Sequence, residues 1–588
     1  MRRAVRGILV VLTLCGSLVP AVSARAAETG RAAPVPLERL FDNRAVSDDS
    51  RPAAADFDGA GASLSARDLT AAGWTPGRAL TVQGARLTWP KRRPGEPDNV
   101  RAAGQDVRLG GRGDALAFLV AGTAGRPVGG AGTVAYADGT RSGYRLTAPD
   151  WRTGPLATKA VALPHINTPA GRLTEHARLY VVTVPLVPGR AVASVRLPRV
   201  LGLHVFALSV RTATLGWTGS WGTSTGGYGA VGPWTDRTLR LVVHTSAGGS
   251  RVRVRFDNTF AAAPVRIGGA TVAVRASGAV PRGTPVRLAF GGAAGVRIPA
   301  GAQAYSDPLG FTVPAGADLL VSLHLPGTVT AAPVHRLARQ RSYVSEPGDH
   351  TVDGSARAYT SVITGRPLLA GVDVGGGPGS VVLFGDSITD GEKSTSDANR
   401  RWPDVLAGRL LRQHAVPRYG VLNQGISGNR VTGDRYPGDG VSTDAAGVSA
   451  LHRFDRDVLA QPSVRTAVVF EGVNDLRWGT PAEQVIAGLR ELADRGHARG
   501  VRMLAATILP CGGEARCTAA VDAERLVVNR WIRRGGVFDG VLDFDAVVRD
   551  PARPSRLLPA YDSGDHLHPG DTGLAALADS VDLRMLRP

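Results

Sequence analysis

The chain has 588 residues, 43% of them apolar, with 75 glycines, 39 prolines and 5% aromatics. That is length for about three or four domains with packed cores, and the turn-rich composition suits β-sandwiches. The formal net charge of +19 comes almost wholly from arginine, with Lys91, Lys159 and Lys393 the only lysines. It is dispersed, Lys91-Arg92-Arg93 being its densest cluster, so it reads as arginine-for-lysine bias rather than as a site for an acidic polymer. No basic helix or aromatic RNA motif accompanies it, which argues against nucleic acid as a partner.

Residues 1–27 have the pattern of a secretory signal peptide. Arg2, Arg3 and Arg6 precede an apolar stretch over 7–22, and Ala24-Arg25-Ala26 offers a cleavage site. A retained membrane anchor is the alternative, but the stretch is short and no second one follows. Leu14 before Cys15 disfavours lipidation, and Arg2-Arg3 leaves twin-arginine export open beside the general route. Cleavage removes four arginines and no acid, lowering the net charge from +19 to +15. A secreted, extracellular protein without a stable membrane anchor is expected.

After a polar leader at 28–38, residues 39–210 show short apolar runs between Gly, Pro and Asp turns, at 116–120, 133–135, 179–184 and 192–197. They read as the strands of an accessory β-sandwich. A second, jelly-roll-like β-sandwich is expected over 211–365, with strands at 239–243, 252–256 and 319–323. Arg253 and Arg255 alternate with valines there, which predicts one wet and one core face. The glycine-rich segment 371–379 reads as a linker.

The pattern then changes to alternating strands and helices. Strands are expected at 381–384, 421–423, 466–470, 502–507 and 540–544. A helix is expected from Thr480, with Thr480 as N-cap, Pro481 first and Glu483 as the capping-box acid. Its apolar face is Val485, Ile486, Leu489, Leu492 and Ala493; a last helix carries Leu574, Leu577, Ala578 and Val581. Residues 372–588 thus form one doubly wound α/β domain.

Four motifs in this domain carry chemistry. Gly385-Asp386-Ser387-Ile388-Thr389 puts a serine on the turn ending a buried strand, where α/β sheets bind ligands. Asp565-His566-Leu567-His568 places an acid three residues before a histidine, a spacing that lets a carboxylate orient an imidazole while its other nitrogen faces the serine. The run 423–428 offers a glycine N–H, and Gly472-Val473-Asn474-Asp475 a side-chain amide. Each alone has a plain reading as turn composition; the four in order point to a serine hydrolase. His566 is the rival base to His568. Thr389 replaces the last glycine of G-x-S-x-G, so the site is not that of a standard α/β-hydrolase. No His/Asp/Glu cluster has metal-ligand spacing, and Asp56-Phe57-Asp58-Gly59 reads as a turn rather than a calcium loop, so no metal or other cofactor is expected.

GDSIT, NQGISGN, GVND and DHLHP resemble the four blocks of the SGNH, or GDSL-type, hydrolase family over about 375–588. The resemblance implies a flavodoxin-like α/β/α domain with a five-stranded parallel sheet. It implies Ser387 as nucleophile, His568 as base and Asp565 as its orienting acid. It also implies an oxyanion hole of the Ser387 and Gly428 N–H groups and the Asn474 side chain. Family members hydrolyse esters and thioesters of lipids, aryl alcohols and acylated sugars. The region 211–365 is similar to the sandwich preceding such domains in secreted actinobacterial proteins, and 39–210 to accessory sandwiches of secreted glycoside hydrolases. Together they point to an acylated polysaccharide as substrate. A lipase or phospholipase, and a glycan- or cell-wall-binding protein with minor turnover, are the alternatives. A monomer is expected.

Trp217, Trp221 and Trp234 can stack on sugars or fill cores. Trp402 and Trp478 can wall the pocket or be core. Cys511 and Cys517 survive processing, and a disulfide between them would contribute about 2 kcal/mol in the chain-entropy picture. Their loop follows the fourth strand and should lie on the active-site face.

Overall fold

The computed structural model describes residues 33–588. The expected signal, residues 1–27 with Cys15, lies outside the described residues.

The first sandwich pairs two antiparallel sheets. One runs in the order Lys159–Leu163, Ala177–Pro185, Ala115–Gly122, Arg199–Arg211 and Val100–Ala103; the other runs Asp106–Arg112, Ala191–Arg196, Val128–Tyr136 and Arg141–Ala148. Phe118, Val120, Val134, Leu146 and Val195 fill the space between them. Ala115–Gly122 is apolar on both faces and buried throughout, because Phe57, Trp74, Trp89 and Phe206 cover its outer side. The hairpin Ala79–Val82/Ala85–Thr88 falls within the expected first sandwich. It nevertheless joins a sheet of the second, with Thr81 opposite Gln303.

The second sandwich packs a sheet containing Trp217–Gly222, Leu369–Gly375 and Gly249–Asp257 against one built on the long strands Tyr228–His244 and Asp318–His335. Two expectations fail here. The glycine-rich segment is not a linker throughout: Leu369–Gly375 is an internal strand whose Val372 and Val374 enter the core. Glycine composition masked the period-2 pattern of that strand. The Arg253/Arg255 face is not wet either, since both side chains are buried. Arg253 Nε donates to Asp373 at 2.8 Å, and Arg255 Nη2 to the Gln461 side chain at 2.7 Å. This face abuts the C-terminal domain, and guanidiniums taken out of water need such partners.

The C-terminal domain has five parallel strands, β1 (Ser380–Gly385), β2 (Gly420–Gly425), β3 (Val464–Phe470), β4 (Arg502–Ala506) and β5 (Gly540–Leu542), in the order β2-β1-β3-β4-β5. This is the doubly wound order with a switch point beside β1. Its helices include α1 (Ser387–Asp390), α2 (Trp402–Arg412), α3 (Ala450–Phe454), α4 (Val473–Arg477), α5 (Ala482–His497), α6 (Ala519–Arg534), α7 (Phe544–Val548) and α8 (Asp571–Ser580). Val485, Leu489, Leu492 and Ala493 of α5 are buried as expected, but the helix begins at Ala482. Thr480 makes no cap: Pro481 holds the cap position, and the Ala482 N–H donates to Glu524 at 2.7 Å.

Strand β2 is a sheet edge, and the second sandwich covers it. The Gly219 N–H donates to Ser380 Oγ at 2.9 Å, and the Val421 N–H to Ser246 Oγ at 2.8 Å. A Cβ on Gly420 would stand 1.9 Å from the Gly219 carbonyl oxygen, so only glycine permits this approach. An open edge is thereby closed within the chain.

Candidate active site

The apolar strand β1 ends on Gly385, where a Cβ would meet Thr389 Oγ1 at 2.2 Å and the Phe470 carbonyl at 2.7 Å. The glycine lets the chain turn tightly into α1, whose first residue is Ser387. Asp386 caps that turn by accepting the Ile388 N–H at 3.0 Å. Burial pushes the Asp386 carboxyl up to about 6.

Three sequence-predicted residues meet here. His568 Nε2 lies 2.8 Å from Ser387 Oγ, and His568 Nδ1 lies 2.8 Å from Asp565 Oδ2. Asp565 Oδ1 accepts the N–H groups of Leu567 at 3.0 Å and His568 at 2.9 Å. Burial acts to raise the Asp565 pKa, but the backbone and imidazole of His568 outweigh it and hold the carboxyl well below its usual range. His566 turns away instead, with Nδ1 2.6 Å from Asp562 and its side chain half exposed.

Asn474, buried on α4, donates one N–H to the Asn429 carbonyl at 3.0 Å, and its Oδ1 accepts from Arg477 at 3.1 Å. That fixes the amide's orientation and leaves its second N–H unspent. Gly428 adopts φ +80°, a left-handed conformation that favours glycine.

Sequence reasoning missed the residues that hold these loops. Arg453 on α3 is fully buried, with its guanidinium 3.9 Å from the Phe384 ring centroid. It donates to the carbonyls of Gly385 at 2.9 Å and Gln424 at 2.7 Å, and to Asn429 Oδ1 at 2.8 Å and Glu471 Oε1 at 3.1 Å. One side chain thus ties the serine turn, the glycine loop and the residue before the GVND turn. Burial, then the Asp386 charge, raises the Glu471 pKa well above its ordinary value. A signal was present: Arg453 and Asp457 sit at i, i+4 on the same face as Ala450, Phe454 and Val458, all buried.

The second missed group comes from the preceding sandwich. His335, the last residue of Asp318–His335, places Nε2 3.0 Å from Asp390 Oδ1 on α1. Asp390 Oδ2 accepts both the N–H of Ser427 at 3.1 Å and its hydroxyl at 3.0 Å, immediately before Gly428. No sequence signal links residues so far apart.

Cys511 and Cys517 form a disulfide. Their loop packs against the histidine loop, since a Cβ on Gly513 would stand 3.0 Å from the His566 ring. Trp221 and Trp234 are buried in the second sandwich, and Trp402 lies in the core against Phe544. Trp217 lies under Arg253, with the guanidinium 4.4 Å from its ring. Trp478 alone of the five is strongly exposed, at 47%. Asp56 and Asp58 accept backbone N–H groups of Gly59, Ala60, Gly61 and Ala62, forming a turn. Among the described residues no His/Cys/Asp/Glu group could hold a metal ion, and no helix is long and apolar enough to cross a membrane.

Among solved structures, the chain is similar to an acetylxylan esterase from Geobacillus stearothermophilus at 22% identity, covering 36% of this chain and 95% of that one, TM-score 0.26. An alpha/beta hydrolase enzyme from the metagenome of Lake Arreo, Spain, is 20% identical over 36% of this chain and 95% of its own, TM-score 0.27. A GDSL-like lipase from Bacteroides thetaiotaomicron is 17% identical over 35% and 87%, TM-score 0.26. No curated protein matches the chain. Residues 383–576 match the GDSL-like Lipase/Acylhydrolase family, and this part of the chain is a GDSL-like lipase/acylhydrolase domain carrying all four motifs.

Proposed function

We propose that the protein is a secreted serine esterase that removes short acyl groups, acetyl above all, from a polysaccharide. The observation that carries this reading is the unbroken chain from Ser387 Oγ through His568 to Asp565, with 2.8 Å at both steps. Asp565 is kept ionised and so holds the imidazole with Nε2 toward the serine. His568 takes the Ser387 proton as Oγ attacks the acyl carbon. The oxyanion is stabilised by the N–H groups of Ser387 and Gly428 and the free amide N–H of Asn474. His568 then protonates the leaving sugar hydroxyl, and water, activated the same way, releases the acid from the acyl-enzyme. No step calls for a cofactor.

A polar polymer suits the surroundings better than an acyl lipid, because the exposed aromatic beside the site, Trp478, stands among arginines rather than in an apolar groove. Ser387→Ala should lower kcat on p-nitrophenyl acetate by at least about 10⁴-fold while the protein stays folded. Full turnover by that variant would end the proposal. Preference for long acyl chains in a p-nitrophenyl ester series would move the substrate to lipids.

A further inference from the structure

Arginines from two loops around the site converge on Trp478, the residue after α4. The Arg516 guanidinium, from the disulfide loop, lies 3.8 Å from its ring centroid; Arg430, two residues after Gly428, lies at 4.9 Å; Arg435 lies at 5.3 Å. Such contacts spread guanidiniums over an indole and hold them in place. Arg435 is neutralised by Asp444 at 2.7 Å. The other two have no ion-pair partner among the described residues. Glu514, the acid nearest Arg516 in the chain, is bound by Arg477 at 2.9 Å; it accepts the backbone N–H of Arg516 and feels the Arg516 charge, but forms no ion pair with that guanidinium. Arg430 is half-buried, its Nε has no acceptor, and burial with the neighbouring Arg435 charge pushes its pKa down. Asp475 and Asp444 act on Arg430 only from beyond ion-pair distance and do not outweigh burial and the Arg435 charge, so a directly bound anion would stabilise it.

We propose that Arg430 and Arg516, arrayed on Trp478, form a subsite for a carboxylate on the sugar chain next to the acylated residue, making acylated polyuronates the preferred substrate. This rests on the esterase reading above. Guanidiniums bind carboxylates in forked pairs, so the site selects a planar anion. A polymer is favoured over a lipid surface because the exposed ring of Trp478 is already taken up by arginines. The subsite also gives part of the chain's excess positive charge a defined use.

The test compares acetylated polygalacturonate with acetylated glucomannan, an uncharged polymer, using the full-length protein, Arg516→Gln and the double variant with Arg430→Gln. The ratio of kcat/KM for the acidic over the neutral polymer should fall about tenfold in the double variant, and wild type should lose the same preference as salt rises. Arg516 is exposed, so its single variant keeps the test valid if Arg430→Gln impairs folding. An unchanged ratio overturns the subsite. Should wild type cleave neither polymer, the esterase reading fails; the subsite is then read from migration in gels containing unesterified polygalacturonate. Retardation that the variants lose supports it. No retardation of wild type, or binding to anionic lipid vesicles instead, overturns it.

Discussion

The second sandwich reaches the serine and glycine loops through His335 on Asp390 and Ser224 on Gln424, and covers the sheet edge through Ser246 on Val421. The first sandwich meets the same domain at Asp439, Leu459 and Arg499, which lie outside the four motifs. In sequence the two look alike, as strand-rich regions ahead of a catalytic domain. Their seams differ in what they hold: one supports the machinery, the other supports only the assembly. A domain's place in the chain therefore says little about its distance from the chemistry; the partners of its buried polar groups say more.

Breaking the inner seam should have the largest effect. His335→Ala leaves the buried Asp390 short of a partner, at a cost of about 1–3 kcal/mol that falls partly on the Ser427–Gly428 loop. We expect kcat on p-nitrophenyl acetate to drop about 10–100-fold with little change in KM. Partial recovery in His335→Gln, which can still donate to Asp390, would separate positioning from loss of fold. The matched change in the outer seam, His176→Ala, removes a half-exposed contact with Asp439 at 3.3 Å and should alter kcat less than about twofold. Equal losses from both variants would erase the distinction.

Next comes Lys159, whose buried ammonium reaches Asp439 at 3.0 Å and the Gly438 carbonyl. Lys159→Met should lower stability by about 1–3 kcal/mol, seen as a lower Tm, without moving kcat. A fall in kcat would show that the outer seam also supports the site.

The smallest effect is one of pH. Asp257 in the second sandwich is buried, and burial raises its pKa despite the Thr259 hydroxyl and the Arg456 charge. In acid the folded protein then binds its proton before the unfolded chain does. This group therefore favours the fold more as pH falls from its raised pKa toward the ordinary carboxylate range, and the gain is lost as pH rises back through it. Asp257→Asn should flatten that component of the Tm–pH curve. A steeper curve in the variant would reverse the sign.

The five parallel strands and the Ser387, Asp565 and His568 motifs were legible because strand periodicity and short-range spacing are local properties. His568 is three residues from Asp565, and one loop can show both. Arg453 and His335 act across long separations in the chain, and their roles depend on tertiary packing that no window of sequence contains. Arg253 and Arg255 misled for a related reason: alternation reports which residues share a face, not whether water or another domain covers it. Leu369–Gly375 misled through composition, since glycines can serve a strand pressed between two neighbours.

The closeness of Gly219 to Gly420 has a consequence for how such a chain can change by recombination. A cut at the short turn 376–379 would strip β2 of its cover and Asp390 of His335, so a C-terminal unit transplanted from there would arrive with a bare edge and a loosened Ser427–Gly428 loop. A cut before 211 fares little better, because the hairpin at 79–88 would leave with the other half. The chain's three regions are therefore poor currency for shuffling. They are expected to be inherited together, with innovation confined to the loops that carry Arg430, Trp478 and Arg516.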